Sequence, residues 1–195
     1  MGFMDRFKNA KTWYNQGVKL TQQGKYEEAL ECFDKSIKMN PGFDMAWNSR
    51  GLILEKLEKY QEAVQSFDKA LEADPEFTIA MINKGIVLGK LGKYHEAIEC
   101  FDKSLELYPD HVLAWTNKGI AFGKLEKYQE ALQCFDKALK IDPEYALAWF
   151  NRGLVFKEID DKEEAIKSFE KALKIKPGYE AAWKAKQDLI KNSKG

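Results

Sequence analysis

Five prolines recur at a spacing of 34 residues in this 195-residue sequence. They are Pro41, Pro75, Pro109, Pro143 and Pro177. Four further columns keep the same spacing, and their members are Trp13, Trp47, Met81, Trp115, Trp149 and Trp183; Gly17, Gly51, Gly85, Gly119 and Gly153; Ala29, Ala63, Ala97, Ala131 and Ala165; and Phe33, Phe67, Phe101, Phe135 and Phe169. A fixed period of this length predicts a solenoid, in which each unit buries its apolar face against its neighbours.

Each unit of the period contains two helical patterns. In the second unit, apolar residues follow helical spacing from Ala46 to Leu57, and the same spacing resumes from Gln61 to Asp74. Because Pro75 disfavours a helical residue before it, the second helix should end there. The unit is therefore predicted to be a helix, a turn and a second helix.

The columns resemble the tetratricopeptide repeat family, whose pattern is W-x-x-L-G-x-x-Y, then A-x-x-x-F, then P, at a 34-residue period. The resemblance implies an all-α fold, a right-handed superhelical solenoid of antiparallel helix pairs whose first helices line a concave groove. Five units are predicted, at residues 10–43, 44–77, 78–111, 112–145 and 146–179. Residues 1–9 then form an N-terminal extension, and residues 180–195 form a capping helix and tail.

The sequence departs from the family pattern in two columns. Gln187 stands where a sixth glycine would fall, as expected for a terminal helix that needs no close neighbour beyond it. The leucine expected before each glycine is replaced by Gln16, Arg50, Lys84, Lys118 and Arg152. A cation on this packing side of the first helix is costly unless it is paired.

Acids of the preceding second helix offer partners for these cations. The predicted pairs are Asp34 with Arg50, Asp68 with Lys84, Asp102 with Lys118, Asp136 with Arg152, and Glu170 with Lys186. Gln16, in the unit with no predecessor, is neutral. The alternative is that the long basic side chains extend to water.

The opposite arc of each first helix should face the groove, and it is unusually apolar. Its candidate partner-binding residues are Met45, Leu52, Ile79, Ile82, Asn83, Ile86, Gly89, Lys90, Leu113, Asn117, Ile120, Gly123, Lys124, Leu147, Phe150, Asn151 and Leu154. Soluble proteins seldom leave so much apolar surface uncovered, although neighbouring first helices could cover part of it. Glycine inside a helix costs about 1 kcal/mol relative to alanine, which favours close approach of a ligand at Gly89 and Gly123. The asparagines could bind a peptide backbone or simply tolerate exposure.

These features predict a non-enzymatic protein-interaction scaffold that binds an amphipathic helix or an extended peptide in the groove. The alternative is a self-assembling scaffold whose groove accepts part of another copy. Phe3, Met4 and Phe7 could supply the docking segment, or they could cap the first repeat. A family binding mode that clamps carboxylates needs polar groove positions that are aliphatic here.

Net charge and hydropathy restrict the classes of partner that the protein is expected to bind. Lysine plus arginine and aspartate plus glutamate each number 31, so no basic excess favours nucleic acid or anionic lipid. No apolar run approaches the roughly 20 residues needed to span a bilayer, and the N-terminus lacks the pattern of a secretory signal. The sequence therefore predicts a cytoplasmic protein whose partner is another protein or peptide, with no membrane or nucleic-acid partner, and possible homo-oligomers.

No catalytic, cofactor or metal site is predicted. Cys32, Cys100 and Cys134 share one repeat column and form no C-x-x-C pair, so they are expected to be small packed residues. His95 and His111 stand far from them in sequence and have no evident nucleophile or acid partner.

Overall fold

The structure of the protein, a computed structural model, describes the backbone of residues 3–192 and the side chains of residues 9–191. The described range contains eleven helices and no strand, which confirms the predicted all-α repeat fold. The helices are α1 (Phe3–Gln22), α2 (Tyr26–Met39), α3 (Asp44–Lys56), α4 (Tyr60–Ala73), α5 (Thr78–Lys90), α6 (Tyr94–Leu107), α7 (Val112–Lys124), α8 (Tyr128–Ile141), α9 (Ala146–Glu158), α10 (Lys162–Ile175) and α11 (Glu180–Asn192).

The chain separates into two compact units, Met1–Leu107 and Tyr108–Gly195, named here the N-terminal unit and the C-terminal unit. The N-terminal unit holds the pairs α1 with α2, α3 with α4, and α5 with α6. The C-terminal unit holds α7 with α8, α9 with α10, and the terminal α11. Within each unit, consecutive first helices also touch: α1 meets α3, α3 meets α5, and α7 meets α9.

A short turn with one left-handed residue joins the two helices of every repeat. In the second repeat, Lys59 N donates to Leu54 O at 2.8 Å across this turn, which closes the end of α3. The left-handed position is glycine in two repeats, Gly24 and Gly92, and an acidic residue in three: Glu58, Glu126 and Asp160. Because a side chain clashes with the carbonyl oxygen in this conformation, the acidic residues are held there by the surrounding turn.

Glu58→Gly should therefore stabilise the protein. Glu58 has a φ of 59°, and relief of the left-handed clash, partly offset by the greater flexibility of glycine in the unfolded chain, should give about 0.5–1 kcal/mol. Urea denaturation followed by circular dichroism measures the change. Lys59→Gly is the matched control, since its φ of −84° suits any residue, and it should lower stability. A Glu58→Gly variant no more stable than wild type would contradict the expectation.

The prolines end the second helices as predicted. The residue before the proline has extended backbone at Asn40 (φ −136°, ψ 91°), Asp74 (φ −137°, ψ 98°) and Asp142 (φ −129°, ψ 95°). Its N–H still donates to the last turn, as Asn40 N does to Ser36 O at 2.9 Å. Proline excludes a helical residue before it, so the chain turns here toward the next first helix.

The core is built from the repeated phenylalanine, alanine and glycine columns. All five phenylalanines are at most 1% exposed, and the five alanines are fully buried. Each phenylalanine ring lies directly against the glycine of the same repeat: a methyl group built on Gly51 would lie only 2.5 Å from Phe67 Cε1. The glycine column is therefore required by close packing of the two helices.

The predicted charge pairs form within both units. Arg50 Nε lies 2.7 Å from Asp34 Oδ1 and Lys84 Nζ lies 2.6 Å from Asp68 Oδ1 in the N-terminal unit. In the C-terminal unit, the corresponding pairs are Arg152 with Asp136 at 3.1 Å and Lys186 with Glu170 at 2.6 Å. The pairing of Asp102 with Lys118 stays a prediction.

Two further predictions concern the cysteines and the N-terminal extension. The three cysteines are buried, in agreement with their interpretation as packed residues. The side chains of Phe3, Met4 and Phe7 lie outside the described residues.

Candidate functional site

The predicted groove face of the N-terminal unit is formed by α3 and α5. Met45 and Ile79, near the starts of these helices, are 46% and 55% exposed, which is unusual for large apolar side chains. Leu52 and Ile86, two turns further along, are half-buried. The apolar strip is thus most accessible at the N-terminal ends of its two helices.

Ile82 does not contribute to this surface, which corrects its assignment to the groove. It is only 2% exposed. Its repeat column also contains Asn48, which is 7% exposed, and Thr116, which is fully buried. Because this column is buried in both units, Ile82 is a core residue.

The last member of that column, Phe150, is half-buried between aromatic rings. Its ring centroid lies 5.0 Å from that of Tyr179 and 5.9 Å from that of Phe169. Such tilted contacts hold the ring in place against the following repeat. Phe150 thus supports the C-terminal unit and presents only part of its surface.

The groove asparagines make hydrogen bonds within the protein. Asn83 Nδ2 donates to Asn48 Oδ1 at 3.0 Å, which links α5 to α3. Asn117 Nδ2 and Asn151 Nδ2 each donate at 2.8 Å to a carbonyl oxygen one turn earlier, on Leu113 and Leu147. Each bond uses one of the two N–H donors of the amide, so a second donor and, for Asn83, Asn117 and Asn151, the side-chain oxygen are left for a peptide backbone.

Leu113 and Leu147 themselves are half-buried at the starts of α7 and α9. They occupy the same repeat column as Met45 and Ile79, whose side chains are exposed. The C-terminal unit therefore has its own apolar side chains at this column, with less accessible surface than those of the N-terminal unit.

Lys90, the last residue of α5, forms an ion pair with α3 at the C-terminal ends of these two helices. Its Nζ lies 2.7 Å from Glu55 Oε1 on α3 and 5.6 Å from the centroid of the Tyr60 ring. The hydrogen bond to Glu55 raises the pKa of Lys90, and partial burial opposes this shift. This pair was missed by sequence reasoning, although its signal, an acid and a base one residue more than a period apart, is present in the sequence.

The C-terminal unit has an open cavity of about 400 Å³ on its predicted groove face. Its lining residues come from α7, the following turn, α8 and α9, and they are Gly119, Ile120, Gly123, Lys124, Glu126, Tyr128, Phe135, Asn151, Leu154, Val155 and Glu158. Five predicted groove residues are brought together here: Ile120, Gly123, Lys124, Asn151 and Leu154. The cavity is therefore apolar at its walls and charged at its mouth.

The two groove glycines have room around them. A methyl group built on Gly89 would have no atom within 4 Å, and one built on Gly123 would lie 3.6 Å from Val155 Cγ2, an ordinary contact. Neither glycine is required by packing inside its unit, in contrast to the glycines that face phenylalanine rings. Gly123 leaves open the space that forms part of the cavity.

Carboxylates concentrate at the mouth of the cavity. Partial burial, followed by the negative charges of Glu126 and Glu158, raises the pKa of Tyr128. Sequence reasoning did not select these three residues, because Glu126 and Tyr128 belong to the turn and Glu158 departs from the lysine of its column. Among the described residues, no group of three or more histidine, cysteine, aspartate and glutamate side chains could hold a metal ion.

Models of one family match the sequence over most of its length. Three models described as tetratricopeptide repeat match residues 10–43 and 45–77, residues 76–144, and residues 116–180. A comparison with curated proteins finds no match. In the described range, no helix combines the length and apolar character needed to cross a membrane.

Solved structures share the fold. The chain is 26% identical to YrrB, a TPR protein with an unusual peptide-binding site, with a TM-score of 0.73 and coverage of 96% of this chain and 98% of that one. It is also 26% identical to MamA 41-end from Desulfovibrio magneticus RS-1, with a TM-score of 0.79 and coverage of 88% and 97%. A thermophilic TPR protein from Thermus thermophilus has the same fold at 16% identity, with a TM-score of 0.74 and coverage of 93% and 98%.

Proposed function

The chain belongs to the tetratricopeptide repeat family and is a protein-interaction scaffold, and we propose that it binds a peptide segment or amphipathic helix of its partner on the first-helix faces of its repeats. The observation that carries this proposal is the 400 Å³ cavity of the C-terminal unit. It lies on the predicted groove face, and its volume falls within the range of about 300–1,000 Å³ typical of ligand sites.

The N-terminal unit offers a second contact region. Met45 and Ile79 present apolar surface to solvent, and burial of such side chains by a partner contributes about 25 cal/mol per Å². Proteins of this family are generally non-enzymatic, and the relatedness to YrrB, described as having a peptide-binding site, supports a peptide as the bound species. An amphipathic helix or extended segment suits a face whose apolar side chains recur along it.

Ile86→Asp together with Ile120→Asp should abolish peptide capture. Peptides would first be selected on the full-length wild-type chain from a random-peptide display library, and their affinities measured by fluorescence anisotropy. A buried contact to each isoleucine contributes about 1.5–3 kcal/mol, so the double variant should bind at least about 100-fold more weakly. Unchanged affinity would overturn the proposal.

Two further variants separate binding from folding. Gly123→Gln fills the cavity from a helix position with room for a side chain, and it should weaken binding while the denaturation midpoint stays at or above that of wild type. Ile159→Asp is the matched control, since Ile159 is 38% exposed and does not line the cavity. Its affinity should equal that of wild type.

Self-assembly is the alternative occupant of the same face. If another copy docks in the groove, the molar mass from light scattering should rise with protein concentration, and Ile120→Asp should return it to the monomer value. Deletion of residues 1–9 should have the same effect if that segment is the docking element. A wild-type chain that remains monomeric while binding selected peptides would exclude this alternative.

A further inference from the structure

The cavity of the C-terminal unit has a filled counterpart in the N-terminal unit. Residues two periods apart occupy the same repeat position, so Gly123 corresponds to Glu55 and Glu158 to Lys90. In the N-terminal unit, Lys90 Nζ sits 2.7 Å from Glu55 Oε1 and 5.6 Å from the centre of the Tyr60 ring. The chain thus supplies its own lysine ammonium at this position.

The C-terminal unit keeps the tyrosine and the turn glutamate near that ammonium but lacks the ammonium itself and its carboxylate partner. Glu126 and Tyr128 replace Glu58 and Tyr60 at the mouth, whereas Gly123 removes the Glu55 side chain and an acid, Glu158, takes the position of the lysine. Removal of one side chain and reversal of the other's charge leave an opening where the first unit has an ion pair.

The charge of the lining favours a cation. The lining contains two carboxylates, Glu126 and Glu158, and one ammonium, that of Lys124. Across the described part of the chain, neither carboxylate takes part in an ion pair. Both act on the hydroxyl of Tyr128, whose pKa is raised by partial burial and then by their charges. Both acids line the same cavity as Tyr128.

The walls suit the aliphatic part of a long side chain. Ile120 and Leu154 are half-buried, and Val155 is 6% exposed behind them. Lysine and arginine carry three or four methylene groups before the charge, and they bury this stem against apolar surface while the charged end meets polar groups. An acidic or purely apolar ligand side chain would satisfy only part of this lining.

We propose that a lysine or arginine side chain of the bound peptide enters the cavity of the C-terminal unit, with its stem between Ile120 and Leu154 and its cation beside Glu126 and Glu158. This inference rests on the proposed peptide-binding function and names the side chain that anchors the peptide. The anchored cation takes the place that Lys90 occupies in the N-terminal unit.

The test uses the peptides selected on the full-length chain. Those whose binding is weakened by Ile120→Asp should share a lysine or arginine at one position. Replacement of that residue by norleucine should weaken binding to wild type by at least about 10-fold, because charge pairs at an interface couple by about 1.5 kcal/mol or more. The same replacement should have an effect of less than about 3-fold on the Glu126→Gln, Glu158→Gln double variant, in which the coupling is removed.

A transplant of the ion pair gives an independent result. The double variant Gly123→Glu, Glu158→Lys recreates the Glu55 and Lys90 pair, and it should reduce the affinity for basic-anchored peptides by at least about 10-fold. Ile159→Asp is the control for adding an acid to the same unit outside the cavity, and it should leave the basic-anchor preference intact. Circular dichroism and the denaturation midpoint verify that each variant is folded.

The outcomes distinguish this inference from the proposed function. Peptides that depend on Ile120 but lack a basic residue, or whose basic residue is insensitive to Glu126→Gln and Glu158→Gln, would overturn the anchor and leave peptide binding in place. Failure to obtain any peptide that depends on Ile86 or Ile120 would overturn both.

Discussion

Phe67→Ala should lower the free energy of unfolding of the N-terminal unit by about 3–5 kcal/mol. Phe67 is fully buried and packs in a cluster with Leu54, Ala63 and Val87. Val87 belongs to the following repeat, so the lost ring also weakens the contact between repeats. Guanidinium denaturation followed by far-ultraviolet circular dichroism measures the loss as a lower midpoint.

The control for Phe67→Ala is an apolar truncation on the surface of the same unit. Met45 is 46% exposed, and Met45→Ala should cost less than about 1 kcal/mol because the side chain is already in contact with water. A Phe67→Ala variant that unfolds within about 1 kcal/mol of wild type would contradict the structure, since loss of a buried ring costs more than this even when the surrounding helices collapse into the vacated space.

Repetition made the fold predictable from sequence. One residue type at a fixed position in several units reports the same packing need each time, as the phenylalanine facing Gly51 and the one facing Gly85 illustrate. The charge pairs followed from the same logic, because registration by one period placed Asp34 near Arg50 and Asp68 near Lys84. The sequence did not indicate the boundary between two compact units after Leu107.

The groove face was harder to predict because a helical projection treats each helix as isolated. At about 100° per residue, the Ile82 position falls on the open arc, but the side chain is 2% exposed. In the same column, Phe150 packs against Phe169 of the second helix and Tyr179 of the following loop. The hydrogen bonds of the groove asparagines could not be predicted from such a projection either. Their spacing predicted exposed amides, whereas Asn117 and Asn151 donate to carbonyl oxygens of their own helices.

One further pattern links the basic column to the buried serines of the second helices. Arg50 donates to Asp34 and also, at 2.7 Å, to Ser66 Oγ. Arg152 does the same with Ser168 Oγ at 2.9 Å. In the repeats whose residue before the glycine is lysine or glutamine instead of arginine, cysteine replaces this serine: Cys32, Cys100 and Cys134. A guanidinium carries its donors on separate nitrogens, so Nε of Arg50 pairs with the acid while Nη1 reaches the serine. A lysine ammonium presents all its donors at one atom, which for Lys84 lies beside Asp68.

The glycines of α5 show why residue type alone cannot separate packing from function. Gly85 and Gly89 lie one turn apart, and both cost helix stability. A methyl group built on Gly85 would lie 2.6 Å from Phe101 Cε1, whereas one on Gly89 would have no atom within 4 Å. Phe101 is 1% exposed and cannot move aside without disturbing the core. Packing against Phe101 therefore requires glycine at position 85. Packing within the unit does not require glycine at position 89.

Alanine at these two positions should therefore change stability in opposite directions. Gly85→Ala should destabilise the protein by about 1–3 kcal/mol, because the added methyl group forces the Phe101 ring out of its site. Gly89→Ala should stabilise it by about 1 kcal/mol, because alanine restricts the unfolded chain and favours the helix at no steric cost. Each variant controls for the other, since both make the same replacement in the same helix. Denaturation midpoints that moved in the same direction would show that the phenylalanine and glycine columns do not pack as closely as described.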